Sequence, residues 1–214
     1  MRNIMRKRNP RESGFSLIEL LVALAVMTIV VGVTLNGINQ AQKRNAAEAG
    51  KLDMTQQGRE GMDQIIRDLH QAGYPTASMY ISGTTSTNPE KYAAGITSLT
   101  TGTQSAITFE GDIDGNGTVD VVTYDTVADS GTACPCHIRR TISQKSVPGS
   151  NSANVIENVT GFSLTAFDGT GASTTTVSAI KRLDVKLDLK TQGRDMDTAQ
   201  KGSATFYSSI RYNN

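Results

Sequence analysis

Three short stretches carry the residue types best able to do chemistry. The first is GDIDGNGTVD (Gly111–Asp120), in which Asp112, Asp114, Asn116, the backbone carbonyl of Thr118 and Asp120 fall at alternate positions. Gly117 supplies a residue free to turn sharply. Hard Ca²⁺ takes several oxygen ligands, and this order provides them. Closely spaced acids also repel one another unless a cation sits among them. Against this, Thr123 stands where an EF-hand loop has its bidentate Glu, and the flanking residues read as strands rather than helices. A Gly-Asn-Gly hairpin turn with solvated acids is the competing reading, and both stay open. An ion held here would pin a hairpin and catalyse nothing.

The second stretch, CPCH (Cys134–His137), brings two thiols and an imidazole together in a chain whose other histidine is His70. That is too few ligands for a metal site. Two cysteines do not make a disulfide framework, but in an oxidising compartment Cys134 and Cys136 can pair with each other; otherwise they are free thiols. His70, near a helix C-terminus, is a solvated residue whose partial positive charge is welcome there. No nucleophile elbow, phosphate loop, H-E-x-x-H or contextual Ser/His/Asp set is present, so the sequence offers no support for an enzyme. No cofactor beyond a structural calcium is expected.

The third is a single residue, Glu19, in the run Phe15–Leu35. It is the one charge in that run, and an unpartnered carboxylate in a membrane or core is costly. A helix of this length covers about 30 Å, enough for a bilayer core. Arg2, Arg6, Lys7, Arg8 and Arg11 precede it against Glu12 alone, which predicts a cytoplasmic N-terminus. Without that tail the chain has 16 basic and 19 acidic residues, a net of −3. The basic cluster is therefore a terminal tag rather than a folded patch, and no nucleic-acid binding is indicated. A cleavable secretory signal would need a shorter apolar core followed by small residues at a cleavage site. An ordinary signal anchor leaves Glu19 without a role.

GFSLIELLVALAV (Gly14–Val26) resembles the type III signal of type IV prepilins and type II secretion pseudopilins. The resemblance implies that a leader ends at Gly14 and is removed by prepilin peptidase. Phe15 then becomes the N-methylated first residue. Glu19 becomes mature residue five, with the free amine of a neighbouring subunit as its partner. That pairing would also act as a register device, since a misplaced subunit would leave a carboxylate unpaired in a dry environment.

The helix should continue past the membrane. No proline occurs between Leu35 and His70, and Met54, Gly58, Met62, Ile65, Ile66 and Leu69 draw one stripe at spacings of three and four. Gly58 and Gly61 read as close-packing positions on that stripe. Asp53, Gln57, Arg59, Glu60, Asp63, Gln64, Arg67 and Asp68 cover the other side. AGYP (Ala72–Pro75) ends the helix. From Phe15 to about Ala72 the helix would measure roughly 85 Å.

Strands are predicted at Ala106–Glu110, Val119–Thr126, His137–Ser143, Phe162–Phe167, Leu183–Leu189 and Thr205–Tyr212. In LDVKLDLK, Leu183, Val185, Leu187 and Leu189 face one way and the charged residues the other, as in a strand with one wet face. Ser82–Pro89 and Gly169–Thr176 read as mobile loops. The fold class is therefore α+β: a long N-terminal helix, transmembrane in its first half, packed on an antiparallel sheet in the manner of type IV pilins. The expected divisions are a leader at 1–14, an assembly half of the helix at 15–36, a periplasmic half at 37–73 and a β-rich domain at 74–214.

RDLHQAGYP (Arg67–Pro75) narrows the resemblance to PilW-type minor pilins and the related J-type minor pseudopilins. NVIENVTGFSLTAFD (Asn154–Asp168), IKRLDVKLDLK (Ile180–Lys190) and the terminal ATFYSSIRYNN (Ala204–Asn214) resemble their later strands. The resemblance implies a minor pilin that helps initiate a pilus or sits at its tip. Its partners would be other minor pilins and the major pilin through the helix, besides the peptidase. It would reside in the bacterial inner membrane with a periplasmic domain, and at the cell surface after assembly. The alternatives are a J-type pseudopilin of a type II secretion system and a membrane-anchored, calcium-dependent adhesin.

Overall fold

A computed structural model describes residues 15–76, 79, 91–145, 147, 149–194 and 201–212. The expected leader, Gly14 and the loop Ser82–Pro89 lie outside the described residues. One α-helix, α1, runs from Leu17 to His70. Seven strands follow: β1 (Ile96–Thr100), β2 (Ala106–Gly111), β3 (Asp120–Ala128), β4 (Cys136–Gln144), β5 (Asn151–Phe167), β6 (Arg182–Arg194) and β7 (Lys201–Arg211). The chain forms two compact units, Met1–Ala46 and Ala47–Asn214.

In the first unit, α1 presents apolar side chains to the exterior on every side; Leu17, Ile18, Leu21, Met27, Ile29 and Val33 are all exposed. An eighteen-residue window of α1 reaches a mean hydropathy of 2.5, long and apolar enough to cross a membrane. Its threonine hydroxyls are satisfied within the helix. Thr28 Oγ1 donates to the Ala25 carbonyl and Thr34 Oγ1 to that of Val30, both at 2.8 Å.

In the second unit, the rest of α1 packs on the sheet. The strands follow one another in chain order, each antiparallel to the last. The sheet curls, so that the segment before β2 meets β5: Gln104 bridges Phe162, and Ser105 Oγ accepts the Leu164 N–H at 3.0 Å. Alternation sets the inner face. Leu183, Val185, Leu187 and Leu189 of β6 join Ile107, Phe109, Val122, Ile138, Ile156 and Leu164 in the core. Outside, Lys186 pairs with Asp188 at 2.8 Å.

The helix contributes Met54, Gly58, Gly61, Met62, Ile65, Asp68 and Leu69 to that core. Both glycines sit where the sheet comes too close for a side chain. A Cβ on Gly58 would stand 2.7 Å from Leu189 Cδ1, and one on Gly61 would collide with Ile156. By contrast, a Cβ on Gly32, Gly37 or Gly50 would meet nothing. The helix ends at His70, two residues short of the expected stop, because Gln71 and Ala72 tighten onto the carbonyls of Asp68 and Leu69. Gly73 then takes a positive φ of 84° and donates its N–H to the Glu110 carbonyl.

Asp68 is the main departure from the expected pattern. The helical stripe assigns it to the wet side, yet it is only 7% exposed. Its Oδ2 accepts hydrogen bonds from Tyr124 Oη and Arg140 Nε, both at 2.6 Å. Tyr124 and Arg140 are opposite one another across β3 and β4, so the sheet offers both donors from one register position. Burial, and then the Asp68 charge, push the Tyr124 phenol well above its ordinary range and keep it a donor.

Three further differences concern the strands and their connections. β1 adds an edge that the sequence pattern does not mark. β5 is much longer than Phe162–Phe167 and carries a bulge between Val159 and Gly161. The loop Gly169–Thr176, expected to be mobile, is tied to Asp168, whose Oδ1 accepts the N–H groups of Thr170 at 2.8 Å and Ala172 at 3.0 Å.

Removing the carboxylate from Asp68 strands a largely buried guanidinium. Asp68→Ala is expected to cost about 3–5 kcal/mol. Asp63→Ala, on the exposed face of the same helix, should stay within about 0.5 kcal/mol. Denaturant unfolding of the full chain in detergent micelles checks both.

Candidate functional site

The candidate site is the start of α1. Phe15 and Ser16 precede the first helical turn, and the Ser16 carbonyl accepts the N–H groups of Glu19 at 3.0 Å and Leu20 at 3.2 Å. Glu19 therefore lies in the first turn, where the partial positive charge of the helix N-terminus favours a carboxylate. Its neighbours Leu17, Ile18, Leu20, Leu21 and Val22 expose more than half of their surface. Within the described part of this run, Thr28 and Thr34 bond to their own helix while the Glu19 carboxylate has no partner. Phe15 is 84% exposed, so the mature end expected from the sequence is open to a neighbour. The arrangement can present one carboxylate, on an apolar surface, to a cation carried by another molecule.

The acidic loop joins β2 to β3 and is built from its own hydrogen bonds. Asp112 Oδ2 accepts the Gly117 N–H at 3.0 Å, and Asp114 Oδ1 accepts that of Asn116 at 3.1 Å. Asn116 Oδ1 takes both the N–H and the hydroxyl of Thr118. Asp120, 4% exposed, accepts from the Ile113 N–H at 3.4 Å. Thr123 is committed elsewhere, its hydroxyl lying 3.0 Å from that of Thr108 on β2. Asp112 Oδ1 is the exception, since it is buried without a hydrogen-bond partner. Among the described residues, no three His, Cys, Asp or Glu side chains gather closely enough to hold a metal ion. The loop thus fits a self-bonded turn better than a ready-made cation cage.

Cys134 and Cys136 are joined by a disulfide. Gln104 Nε2 leans over it, 3.6 Å from one sulfur and 3.8 Å from the other, and donates to the Thr132 carbonyl at 3.2 Å. His137 Nδ1 lies 2.9 Å from Asp129 Oδ1. His70 is exposed at the end of α1. The disulfide and His137 sit where β3 passes into β4, at the opposite end of β3 from the acidic loop, whereas His70 lies at the end of α1 beside the start of that loop.

With this geometry in place, comparison with known proteins gives one result. Residues 9–35 match the family model of the prokaryotic N-terminal methylation motif. No curated protein and no solved structure matches the chain. The motif indicates a type IV pilin-like or pseudopilin-like substrate of prepilin peptidase, and it points to a structural subunit. Together with the apolar start of α1 it supports anchoring in the membrane and assembly with other pilins.

Burial first, and then the charge of Asp114, raise the Asp120 carboxyl above its ordinary value of 3.8. The folded protein therefore holds that proton more tightly than the unfolded chain does. The stability this contributes is complete below the ordinary value and is lost as pH rises through the raised one. Asp120→Asn is expected to melt at a higher temperature than the wild type at neutral pH in the presence of a chelator. The difference should vanish below pH 3.8. Circular-dichroism melts across pH check the sign.

Proposed function

We propose that this chain is a minor pilin of the PilW type, cleaved after Gly14, N-methylated at Phe15 and inserted into a type IV pilus through α1. It would act in pilus initiation or at the pilus tip. The observation that carries the reading is the Glu19 carboxylate, which has no partner among the described residues in a run whose threonines bond to their own helix. A methylated amine at Phe15 of an adjacent subunit would supply the missing charge, and burying the pair between helices would reject a wrong register. The segments Arg67–Pro75 and Ala204–Asn214 favour the PilW type over other minor pilins. The proposed divisions are a leader at 1–14, an assembly segment at 15–36, a periplasmic helix at 37–73 and a globular domain at 74–214. Before assembly that domain would lie in the periplasm, and afterwards at the cell surface. Other minor pilins and the major pilin are the proposed partners.

A structural calcium on Asp112, Asp114, Asn116, the Thr118 carbonyl and Asp120 is a separate proposal. It is supported by the orphaned Asp112 Oδ1 and the raised Asp120 carboxyl, both of which a cation would relieve. Millimolar Ca²⁺ is then expected to raise the melting temperature of the wild type and leave Asp120→Asn unmoved. An unmoved wild type ends the idea.

The pilin reading is checked by the N-terminal mass of the membrane-extracted protein, alongside Glu19→Ala. The expected chain begins at N-methylated Phe15 in both, and the variant is cleaved but absent from sheared filaments. A chain beginning at Met1, or cut after the apolar run, would overturn the reading.

A further inference from the structure

At the end of the sheet where α1 terminates, the outer face carries an arrangement that the filament reading does not use. Phe167, Arg182 and Arg211 stand in one cross-strand row over β5, β6 and β7. Two arginines directly opposite one another in an antiparallel pair repel, and such pairs weaken a sheet. Lys181 adds a third cation beside them. The row borders an open cleft of about 750 Å³, closed on its far side by the loop Asp168–Gly171.

Backbone hydrogen bonds and a ring contact order the floor of this cleft. Lys181 N–H donates to the Phe167 carbonyl and Tyr212 N–H to the Lys181 carbonyl, both at 2.8 Å. The Arg182 guanidinium lies 3.9 Å over the Phe167 ring, which fixes its plane. The acids nearby are already engaged. Asp168 accepts from the Thr170 N–H, the Thr170 hydroxyl and the Ala172 N–H, and Asp184 Oδ1 lies 3.2 Å from Arg182 Nε as an ion pair without hydrogen-bond geometry. Arg211 is exposed, and among the described residues it has no ion-pair partner.

We propose that this cleft binds a single oxyanion group, a phosphate or a carboxylate of a small ligand, through Arg211 and Arg182 with Lys181 at its edge. Guanidinium forks match the paired oxygens of either group, and such an anion would remove the repulsion across β6 and β7. A single group fits better than a polyanion. Within the cleft Arg182 is already paired with Asp184, which leaves Arg211 as the principal charge for a ligand, and farther along the outer face Lys186 is paired with Asp188 and Arg139 with Asp125, so no continuous basic track leads away from the cleft.

The test is calorimetric titration of the full chain in detergent micelles at low ionic strength. The probes are inorganic phosphate and, separately, glucuronate. Saturable binding of at least one is expected. Arg211→Ala should weaken it about tenfold or more, because charge-assisted bonds are lost. Arg211→Lys, which keeps the charge and loses the fork, should fall between. Lys186→Ala should change nothing. Binding of phosphate alone assigns a phosphate-bearing ligand, and binding of glucuronate alone a carboxylate-bearing one. Because Arg211 is exposed at a strand end, its variants test the site even if Arg182→Ala fails to fold. The proposal is overturned if neither probe binds, or if Arg211→Ala leaves the affinity intact. It is equally overturned if oligonucleotides bind with affinity that grows with their length and the small anions do not.

Discussion

The carboxylate of Asp68 is the point on which the globular unit turns. A helix laid on a sheet usually meets it through apolar contacts alone, which fix distance better than rotation or register. Here two directed hydrogen bonds from adjacent strands converge on one oxygen of one helical residue. A slip of one residue in β3 against β4 would separate Tyr124 from Arg140 and leave a buried charge without a partner. The close approach at Gly58 and Gly61 works to the same end by steric means, since only one stretch of α1 has no side chain where Leu189 and Ile156 press inward. Polar pairing and missing Cβ atoms together specify one seating of the helix on the sheet.

Much of this seating is legible in the amino-acid order alone. Alternation in LDVKLDLK reads directly as the inner and outer faces of β6, and the stripe from Met54 to Leu69 reads as a buried helical face. Asp68 escapes such a reading because a stripe drawn on residue type assigns every acid to water. Its burial depends on Tyr124 and Arg140, more than fifty residues away, and nothing local announces them. Most of β5 is hidden for a related reason. Asn151–Ser152–Ala153–Asn154 has weak strand propensity and is held extended by β4, a tertiary override of local preference. β1 is equally hard to see, because its five residues form an edge with little burial pattern.

The site divides along the same line. Glu19 stands out in sequence because a charge inside a long apolar run is expensive anywhere, whatever surrounds it. The acidic loop carries a more ambiguous signal, since Asx-turns and calcium loops draw on the same residues in nearly the same order. Side-chain hydrogen bonds separate the two: the oxygens that would face an ion are mostly turned to the loop's own amides. The row of Phe167, Arg182 and Arg211 has no sequence signature at all, because it exists only through the register of three strands.

The chain-order arrangement of the sheet bears on how the molecule is made. Each strand finds its partner in the segment synthesised just before it, so the sheet can grow one hairpin at a time with little entropy spent on closing large loops. Longer-range tethers break that locality, among them Asp68 to Arg140, separated by 72 positions, and Ser105 to Leu164, separated by 59. Docking of the helix and curling of the sheet therefore carry a larger loop-closure cost than any of the hairpins. A sheet ordered in this way needs only local closures to pair its strands, and the seating of α1 is the costlier step.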